Sequence, residues 1–177
     1  MAQRSESHLP EAEGKRIEVD PTLGPIPLPA PVYHELCAHA VEAAPEEECC
    51  GLIVGNALER YLRVVRCSNE MEALHQKDPE RFPRDARSAF YMSPKDIDHV
   101  SQEVEARGER VTAVYHSHVG AGAYLSPLDL AHAEHDFFPF PEADQIVVTV
   151  FERTARDVAV FRRSAEGFAG YAVQPDA

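Results

Sequence analysis

Two histidines and one aspartate stand where a predicted strand and a predicted helix follow each other along the chain. Residues 111–114 are rich in β-branched side chains, which is typical of a buried strand, and this strand ends at His116 and His118. Side chains two positions apart leave an extended backbone on the same side. Ser126, followed by proline, is a favourable helix start, and Asp129 lies in the first turn of that helix. We therefore expect two imidazoles and one carboxylate to converge.

These side chains are the ligand types of a catalytic zinc site. Zinc prefers four tetrahedral ligands, and a catalytic site uses three protein ligands and leaves the fourth position to water. Such a site also needs a proton acceptor outside the ligand set. Glu48 is the candidate, because it ends an acidic run directly before the apolar segment 50–54. Partial burial there would raise the pKa of its carboxyl toward the range useful to a general base.

The two segments together resemble the JAMM (MPN-plus) metallopeptidases, a family that includes zinc deubiquitinases and smaller prokaryotic JAB-domain relatives. The first matching motif is Glu-x-Cys-Gly, three apolar residues and glycine, at 48–55. The second is His-Ser-His-x7-Ser-x-x-Asp, at 116–129. The resemblance covers roughly residues 32–160.

The resemblance implies a role for five residues of the two motifs. It implies that Zn2+ is bound by His116, His118 and Asp129. It also implies that Glu48 is the general base and that Ser126 stabilises the tetrahedral oxyanion.

The chain departs from the family pattern in two places. Members often have proline directly after the second histidine and directly before the serine, whereas this chain has Val119 and Leu125. This difference concerns the shape of the loop and the choice of substrate. A proline also lies one residue farther upstream of Glu48 than expected, so Glu47 is a second candidate for the base. Glu48 is preferred because its spacing to the following Cys-Gly pair matches.

Composition limits the class of protein. A chain of 177 residues with 44% hydrophobic residues suffices for one domain with its own core. A net charge of −13 argues against nucleic acid as a partner, because phosphate binding needs a basic surface. No apolar run is long enough to span a membrane, and the first residues lack an apolar signal core, so we expect a cytoplasmic protein.

Four cysteines form no Cys-x-x-Cys pattern and predict reduced, mostly buried thiols. A cysteine protease with Cys49 or Cys50 as the nucleophile is a weak alternative, because both residues lie at or inside the apolar strand.

The rest of the chain predicts the elements that position these residues. Residues 1–30 are expected to be a flexible tail and linker, with a short strand possible at 16–19, and residues 31–173 to form the metallopeptidase-like domain. Helical spacing favours a helix at 32–43. A hairpin follows, with strands at 50–54 and 61–66.

The middle of the chain is predicted as a long polar segment followed by a strand and a helix. Residues 68–87 are either a solvated insertion or, as the resemblance implies, a segment that helps to hold the substrate. A strand is expected at 88–92. Ser93 caps the next helix, which Gly108 ends.

The helix that starts at Ser126 is expected to continue to about residue 136. It carries His132 and His135, which are predicted to be exposed polar residues; a second metal site beside Asp129 is the alternative. Three further strands are predicted: 145–151, 157–161 and, at an edge, 167–173. The order of elements predicts an α/β fold, a mixed β-sheet flanked by helices. The resemblance implies the same JAMM/MPN-like, cytidine-deaminase-like sandwich.

The resemblance also implies an activity. It points to a zinc-dependent peptidase or isopeptidase that cleaves after the C-terminal Gly-Gly of a ubiquitin-like or sulfur-carrier protein. A non-catalytic MPN-type scaffold is the alternative. A zinc deaminase is disfavoured, because the chain lacks the Pro-Cys-x-x-Cys motif. The aromatic segment 137–141 either packs under the domain edge or docks a protein or peptide. The oligomeric state stays open.

Overall fold

Seven strands and four helices lie within residues 14–176, the part of the chain that this computed structural model describes. The strands are β1 (Ile26–Leu28), β2 (Cys50–Gly55), β3 (Arg63–Cys67), β4 (Arg110–Val119), β5 (Asp144–Phe151), β6 (Thr154–Ser164) and β7 (Gly167–Pro175). The helices are α1 (Ala30–Ala43), α2 (Met71–Lys77), α3 (Pro94–Arg107) and α4 (Pro127–Ala133).

The strands form one sheet in the order β1-β7-β6-β5-β4-β2-β3. Two neighbouring pairs, β4 with β5 and β1 with β7, are parallel, and the other pairs are antiparallel. The predicted α/β fold with a mixed sheet flanked by helices is therefore confirmed.

Helices cover both faces of the sheet, as the alternation of side chains along β4 demonstrates. Tyr115 shares a buried cluster with Leu36 of α1, whereas Val114 shares one with Val100 of α3. Successive strand residues point to opposite faces. The even-numbered positions of β4, which include both histidines, therefore face away from α1 and toward the side of α3.

Helix α3 begins and ends where the sequence predicts. The Ser93 side chain accepts a hydrogen bond from the Asp96 backbone N–H, and Pro94 occupies the first turn, where no intrahelical N–H partner is lost. Gly108 has φ +66° at the C-terminus, a left-handed conformation that favours glycine.

Two expectations for the middle of the chain are wrong. The strand at 88–92 does not form; only Met92 makes an isolated bridge, to Asn69. The Asn69 side chain accepts from the backbone N–H of Tyr91 and donates to the Ala89 carbonyl, so a side chain makes the hydrogen bonds that a partner strand would have supplied. The segment 68–87 is not wholly irregular, because it contains α2.

Two more boundaries differ from the prediction. Helix α4 ends at Ala133 and does not reach residue 136. Strand β7 is not at an edge, because β1 pairs along its outer side, from Ile26 opposite Val173 to Leu28 opposite Pro175.

Part of the predicted tail and linker lies within the sheet. Ile26 and Leu28 of β1 are 7% and 0% exposed, so the proline-rich segment is extended but buried. In the segment 16–19, Ile17 and Val19 make only isolated bridges. Residues 1–13 lie outside the described part, and the division of the chain at residue 31 stays a prediction. Among residues 14–176, no helix is both long and apolar enough to cross a bilayer.

Candidate metal centre

Three of the predicted site residues converge at one point beside the sheet. His116 Nε2 lies 3.1 Å from His118 Nε2. Asp129 Oδ2 lies 3.3 Å from His116 Nε2 and 3.4 Å from His118 Nε2. The side chains are 0%, 7% and 10% exposed, respectively for His116, His118 and Asp129. The end of β4 and the start of α4, which follow each other along the chain, thus present three potential ligand atoms to a common centre.

The start of α4 orients the carboxylate. The Ser126 side chain accepts from the Asp129 backbone N–H at 3.1 Å, and Asp129 Oδ2 accepts from the Ser126 backbone N–H at 2.9 Å. This reciprocal arrangement is a capping box. The oxygen that caps the helix is also the oxygen that faces the two histidines, so the local helix signal positions the ligand.

The two histidines are held in different ways. His118 Nδ1 lies 2.8 Å from the Gly122 carbonyl oxygen, which only accepts. Nδ1 therefore donates to this carbonyl, and Nε2 faces the centre. His116 Nδ1 is buried and has no hydrogen-bond partner within residues 14–176. Its ring instead stacks on Phe90, with centroids 4.6 Å apart and planes at 24°.

The arrangement fits a tetrahedral divalent cation. Ligand atoms about 2.1 Å from a tetrahedral zinc ion lie about 3.4 Å apart, close to the observed separations. Imidazole nitrogens and a carboxylate oxygen are all ligand types that zinc accepts. Within the described residues, His116, His118 and Asp129 are the group that could hold a metal ion.

Charge at the centre follows from the same contacts. Burial alone would raise the pKa of the Asp129 carboxyl, but the adjacent His116 and His118 outweigh it and hold that pKa well below its usual range. Asp129 is therefore ionised and available as an anionic ligand at neutral pH.

Glu48 lies two residues before the first residue of β2, on the same face of the sheet as His116 and His118. Strand β2 runs antiparallel to β4 with Cys50 opposite His116. Extension of this register by two residues places Glu48 opposite His118. Directly opposed residues project from the same face of a sheet. The Glu48 backbone N–H donates to the Ala86 carbonyl at 2.7 Å, which fixes the segment where it leaves the strand.

The two candidate bases differ in burial. Glu48 is 6% exposed, and burial raises the pKa of its carboxyl to about 9, with a further upward contribution from the Asp129 charge and an opposing one from Arg84. A cation at the centre would lower this pKa. Glu47 is only half-buried, with a pKa raised by burial. Burial and register both favour Glu48.

Comparison with known proteins identifies the family of this domain. The model of the prokaryotic homologs of the JAB domain matches residues 29–163. The chain belongs to the prokaryotic JAB family. No curated protein matches the chain.

Solved structures agree with the family in fold. The JAB-family chain is similar to a protein from Desulfitobacterium hafniense, with 19% identity, a TM-score of 0.59 and coverage of 85% of this chain and 92% of the other. It is also similar to a protein from Salinibacter ruber, with 21% identity, a TM-score of 0.51 and coverage of 81% and 86%. At these identities the likeness concerns the fold alone.

His132 of α4 and His135, two residues beyond the end of this helix, lie outside the candidate ligand cluster of this JAB-family chain. Among the described residues, neither His132 nor His135 belongs to the cluster that could hold a metal ion. His132 is half-buried, so the prediction that it is exposed is wrong, and burial lowers the pKa of its ring. His135 is exposed, and its Nδ1 accepts from the Phe137 backbone N–H at 3.2 Å.

The cysteines do not form a second nucleophilic site. Burial raises the pKa of Cys49 to about 12 and that of Cys50 further. A nucleophilic cysteine needs a lowered pKa and access to substrate, and both residues are at most 2% exposed. The cysteine protease alternative has no structural support.

Two residues beside the centre of the JAB domain were not singled out from the sequence. Phe90 orients His116, and Gln145 is 4% exposed below a cavity that reaches Asp129. Phe90 lies in a segment predicted to be a strand, and no local pattern indicates which ring it contacts. Gln145 carried a signal, since a polar residue at the start of an otherwise apolar strand calls for an explanation.

Proposed function

We propose that this JAB-family protein is a zinc-dependent peptidase or isopeptidase. It hydrolyses the bond after the C-terminal Gly-Gly of a ubiquitin-like or sulfur-carrier protein. The observation that carries the proposal is the convergence of His116, His118 and Asp129 beside the buried carboxyl of Glu48. Four free cysteines fit activity in a reducing compartment such as the cytoplasm.

The ligand set determines what the metal contributes. A zinc ion bound by these three side chains would polarise the substrate carbonyl and lower the pKa of water at the open position. His118 would offer its Nε2 lone pair to the ion, because its Nδ1–H is engaged by the Gly122 carbonyl. Asp129 stays ionised and is kept in place by the helix cap.

Glu48 moves the proton in the proposed reaction. Its carboxylate accepts a proton from the attacking water as the oxygen forms a bond to the carbonyl carbon. The same carboxyl then donates the proton to the leaving nitrogen as the carbon–nitrogen bond breaks, so the base is regenerated. A buried carboxyl with a raised pKa suits both steps, because neither protonation state is strongly favoured near neutral pH once a cation is close.

Ser126 has the hydroxyl hydrogen that the oxyanion requires. Its oxygen uses a lone pair to accept from the Asp129 backbone N–H, which leaves the hydrogen to be donated. A single donor to an oxyanion contributes about 3 kcal/mol to transition-state stability in well-studied hydrolases.

The substrate proposal depends on the family resemblance and on the chemistry of glycine. A Gly-Gly tail has no side chains, so its backbone can lie extended close to a buried centre. Such a tail is present at the end of ubiquitin-like and sulfur-carrier proteins. The acidic chain, with its net charge of −13, suits a protein substrate better than a nucleic acid.

The first experiment measures metal content and cleavage together. The purified protein is expected to contain about one zinc per chain and to cleave a ubiquitin-like protein that is extended past its Gly-Gly. Chelation should abolish cleavage, and zinc should restore it. The His118→Asn variant should lose both zinc and activity, whereas the matched control His99→Asn, at an exposed position of α3, should keep both.

The opposite result would favour the scaffold. A protein without zinc or cleavage, whose stability does not change in the His118→Asn variant, would be a JAB domain without catalysis. That outcome would overturn the peptidase proposal.

A further inference from the structure

Residues 16–20, here called the strap, lie against the loop 119–125 that joins His118 to Ser126. The sequence predicts a flexible tail at the strap, and the match to the family model begins only at residue 29. The strap is therefore an addition to the matched domain. It contacts the loop that runs between two of the three candidate metal ligands.

Two backbone hydrogen bonds join the strap to the loop. The Ile17 N–H donates to the Leu125 carbonyl at 2.9 Å, and the Leu125 N–H donates to the Ile17 carbonyl at 2.9 Å. Leu125 is 0% exposed, so its backbone groups depend on this partner. Position 125 is also one of the two places where the chain departs from the JAMM pattern. A proline there would lack the N–H that bonds to Ile17, so leucine permits a contact that proline would not.

A stack of side chains continues from the strap to a ligand. The Arg16 guanidinium lies 4.3 Å from the centroid of the Tyr124 ring, and the centroids of the Tyr124 and His118 rings are 5.0 Å apart. A cation over an aromatic ring is attracted by the negative face of that ring. The Gly122 carbonyl, which holds His118 Nδ1, also accepts from the Tyr124 N–H at 3.1 Å. Tyr124 therefore contacts both the ring of His118 and the group that orients this ring.

The other side of the strap is seated on β7. Val19 forms an isolated bridge with Gly170, and a Cβ at position 170 would lie 2.3 Å from the Glu18 carbonyl oxygen. The strap can therefore approach the strand this closely only because residue 170 is glycine. Ile17 and Val19 also pack on the buried cluster that contains Leu125. The strap is thus held between β7 and the loop, so a displacement on β7 would reach the loop.

We propose that the strap is a positioning element of the metal centre. Through Tyr124 and Leu125 it holds the loop in the conformation that sets the distance between His118 and Asp129. Without the strap contacts the loop could rearrange, and these two ligands would be less well placed for a metal ion. This inference rests on the proposed function, because it concerns the affinity of the centre for zinc.

A substitution on β7 tests the strap without touching the loop or the ligands. In Gly170→Ala the added methyl group collides with the Glu18 carbonyl and displaces the strap, so the dissociation constant for zinc should rise by about tenfold. Competition with a chromophoric chelator measures it. The visible absorption of the cobalt-loaded protein should also change, because the ligands are rearranged. Gly24→Ala is the matched control, since a Cβ there meets no atom of residues 14–176 within 4 Å.

Variants of Arg16 act from the strap itself, since the methyl group of Gly170→Ala also approaches the Phe161 ring. Arg16→Ala removes the cation from the stack, together with the ion pair between Arg16 and Glu18. The dissociation constant for zinc should rise by about two- to fivefold, the range expected for an exposed cation–π contact. Arg16→Lys keeps a cation over the ring and should restore most of the affinity. Lys15→Ala, at the neighbouring exposed position, should bind zinc like the parent.

Hydrogen exchange in the metal-free protein gives a readout that depends neither on zinc nor on cleavage. The amides of the loop 119–125 should exchange about tenfold faster in Gly170→Ala than in the parent, because the loop has lost its partner. The amides of α3, which does not contact the strap among the described residues, should exchange at the parental rate.

The outcomes separate this inference from the peptidase proposal. If the parent binds zinc, and both Gly170→Ala and Arg16→Ala keep its zinc affinity and cobalt spectrum, the inference is overturned and the peptidase stands. Lower stability in urea alongside that result would show that the strap only stabilises the fold. A parent protein that binds no zinc would overturn the proposed function, and with it the assignment of the strap to a metal centre.

Discussion

Cys49 and Ser117 exchange two hydrogen bonds across the sheet. The Cys49 backbone N–H donates to Ser117 Oγ at 2.8 Å, and the Ser117 backbone N–H donates to the Cys49 carbonyl at 3.0 Å. Ser117 lies between the two histidines, and Cys49 directly follows Glu48. The serine of the His-Ser-His motif therefore links the strand that carries the ligands to the segment that carries the candidate base.

Removal of the Ser117 hydroxyl should lower the stability of the fold without changing its zinc content. Ser117→Ala leaves the buried Cys49 N–H without its acceptor, which should lower the free energy of unfolding by about 1–3 kcal/mol. Peptidase activity should fall because Glu48 is less well fixed, while zinc content should stay near one per chain. Urea denaturation, metal analysis and cleavage rates measure the three quantities. The exposed Ser88→Ala serves as the control, and equal stability and activity of both variants would contradict the link.

Substitution of the two glutamates should identify the base. Glu48→Gln removes the proton acceptor but keeps the size of the side chain, so turnover should fall by about 10²–10⁴-fold with zinc still bound. Glu47→Gln is the matched control and should retain activity within about twofold. Steady-state rates and metal content measure the effect. If the Glu47 variant is inactive and the Glu48 variant active, the assignment is reversed.

Loss of the Phe90 ring should weaken metal binding. His116 Nδ1 has no hydrogen-bond partner among the described residues, so stacking on Phe90 is the contact that orients its ring. In Phe90→Ala the dissociation constant for zinc should rise by about tenfold, the lower end for loss of a supporting contact. Competition with a chromophoric chelator measures it. Phe137→Ala removes an exposed ring instead and should bind zinc like the parent; equal affinities of the two variants would refute the role of Phe90.

His39 should make the fold sensitive to acid. Its Nδ1 lies 2.7 Å from the hydroxyl of the buried Tyr115, and burial, aided by Arg66, lowers the pKa of His39 to about 4. In the unfolded chain the His39 imidazole has its ordinary pKa of about 6.5, so between about pH 6.5 and 4 the unfolded state binds a proton that the folded state does not bind. Stability should therefore decrease as the pH falls from about 6.5 toward 4.

The His39→Gln variant tests this dependence. Because glutamine has no proton to gain, the variant should gain about 1–2 kcal/mol relative to the parent between pH 7.5 and pH 4.5, a value reduced for partial exposure. Urea denaturation at both pH values measures it, and His99→Gln, at an exposed position of α3, is the control. A pH dependence that stays parallel to that of the parent would show that His39 does not contribute.

The local part of the fold could be predicted from sequence because its signals are local. The Ser93 cap and Gly108 delimit α3 through contacts within one turn, and the Ser126 capping box defines the start of α4 in the same way. The prediction of a strand at 88–92 was wrong because the apolar residues of this segment are buried in a loop that pairs with no strand among residues 14–176. Its backbone groups bond to the Asn69 side chain, about twenty residues away in sequence, which no local pattern reports.

The sequence by itself determined the chemical identity of the candidate ligands, because histidine and aspartate at this spacing can follow a strand and begin a helix. Only the tertiary structure decided that His116, His118 and Asp129 lie within 3.1–3.4 Å of one another and that Glu48 is buried while Glu47 is half-exposed. The physical reason is that such distances and burial depend on strand register and on packing between distant segments. The same holds for Gln145. Its residue type can be read from the sequence, but its burial without a hydrogen-bond partner among residues 14–176, beside a cavity formed by β4, β5, α3 and the aromatic segment 137–141, depends on the tertiary structure.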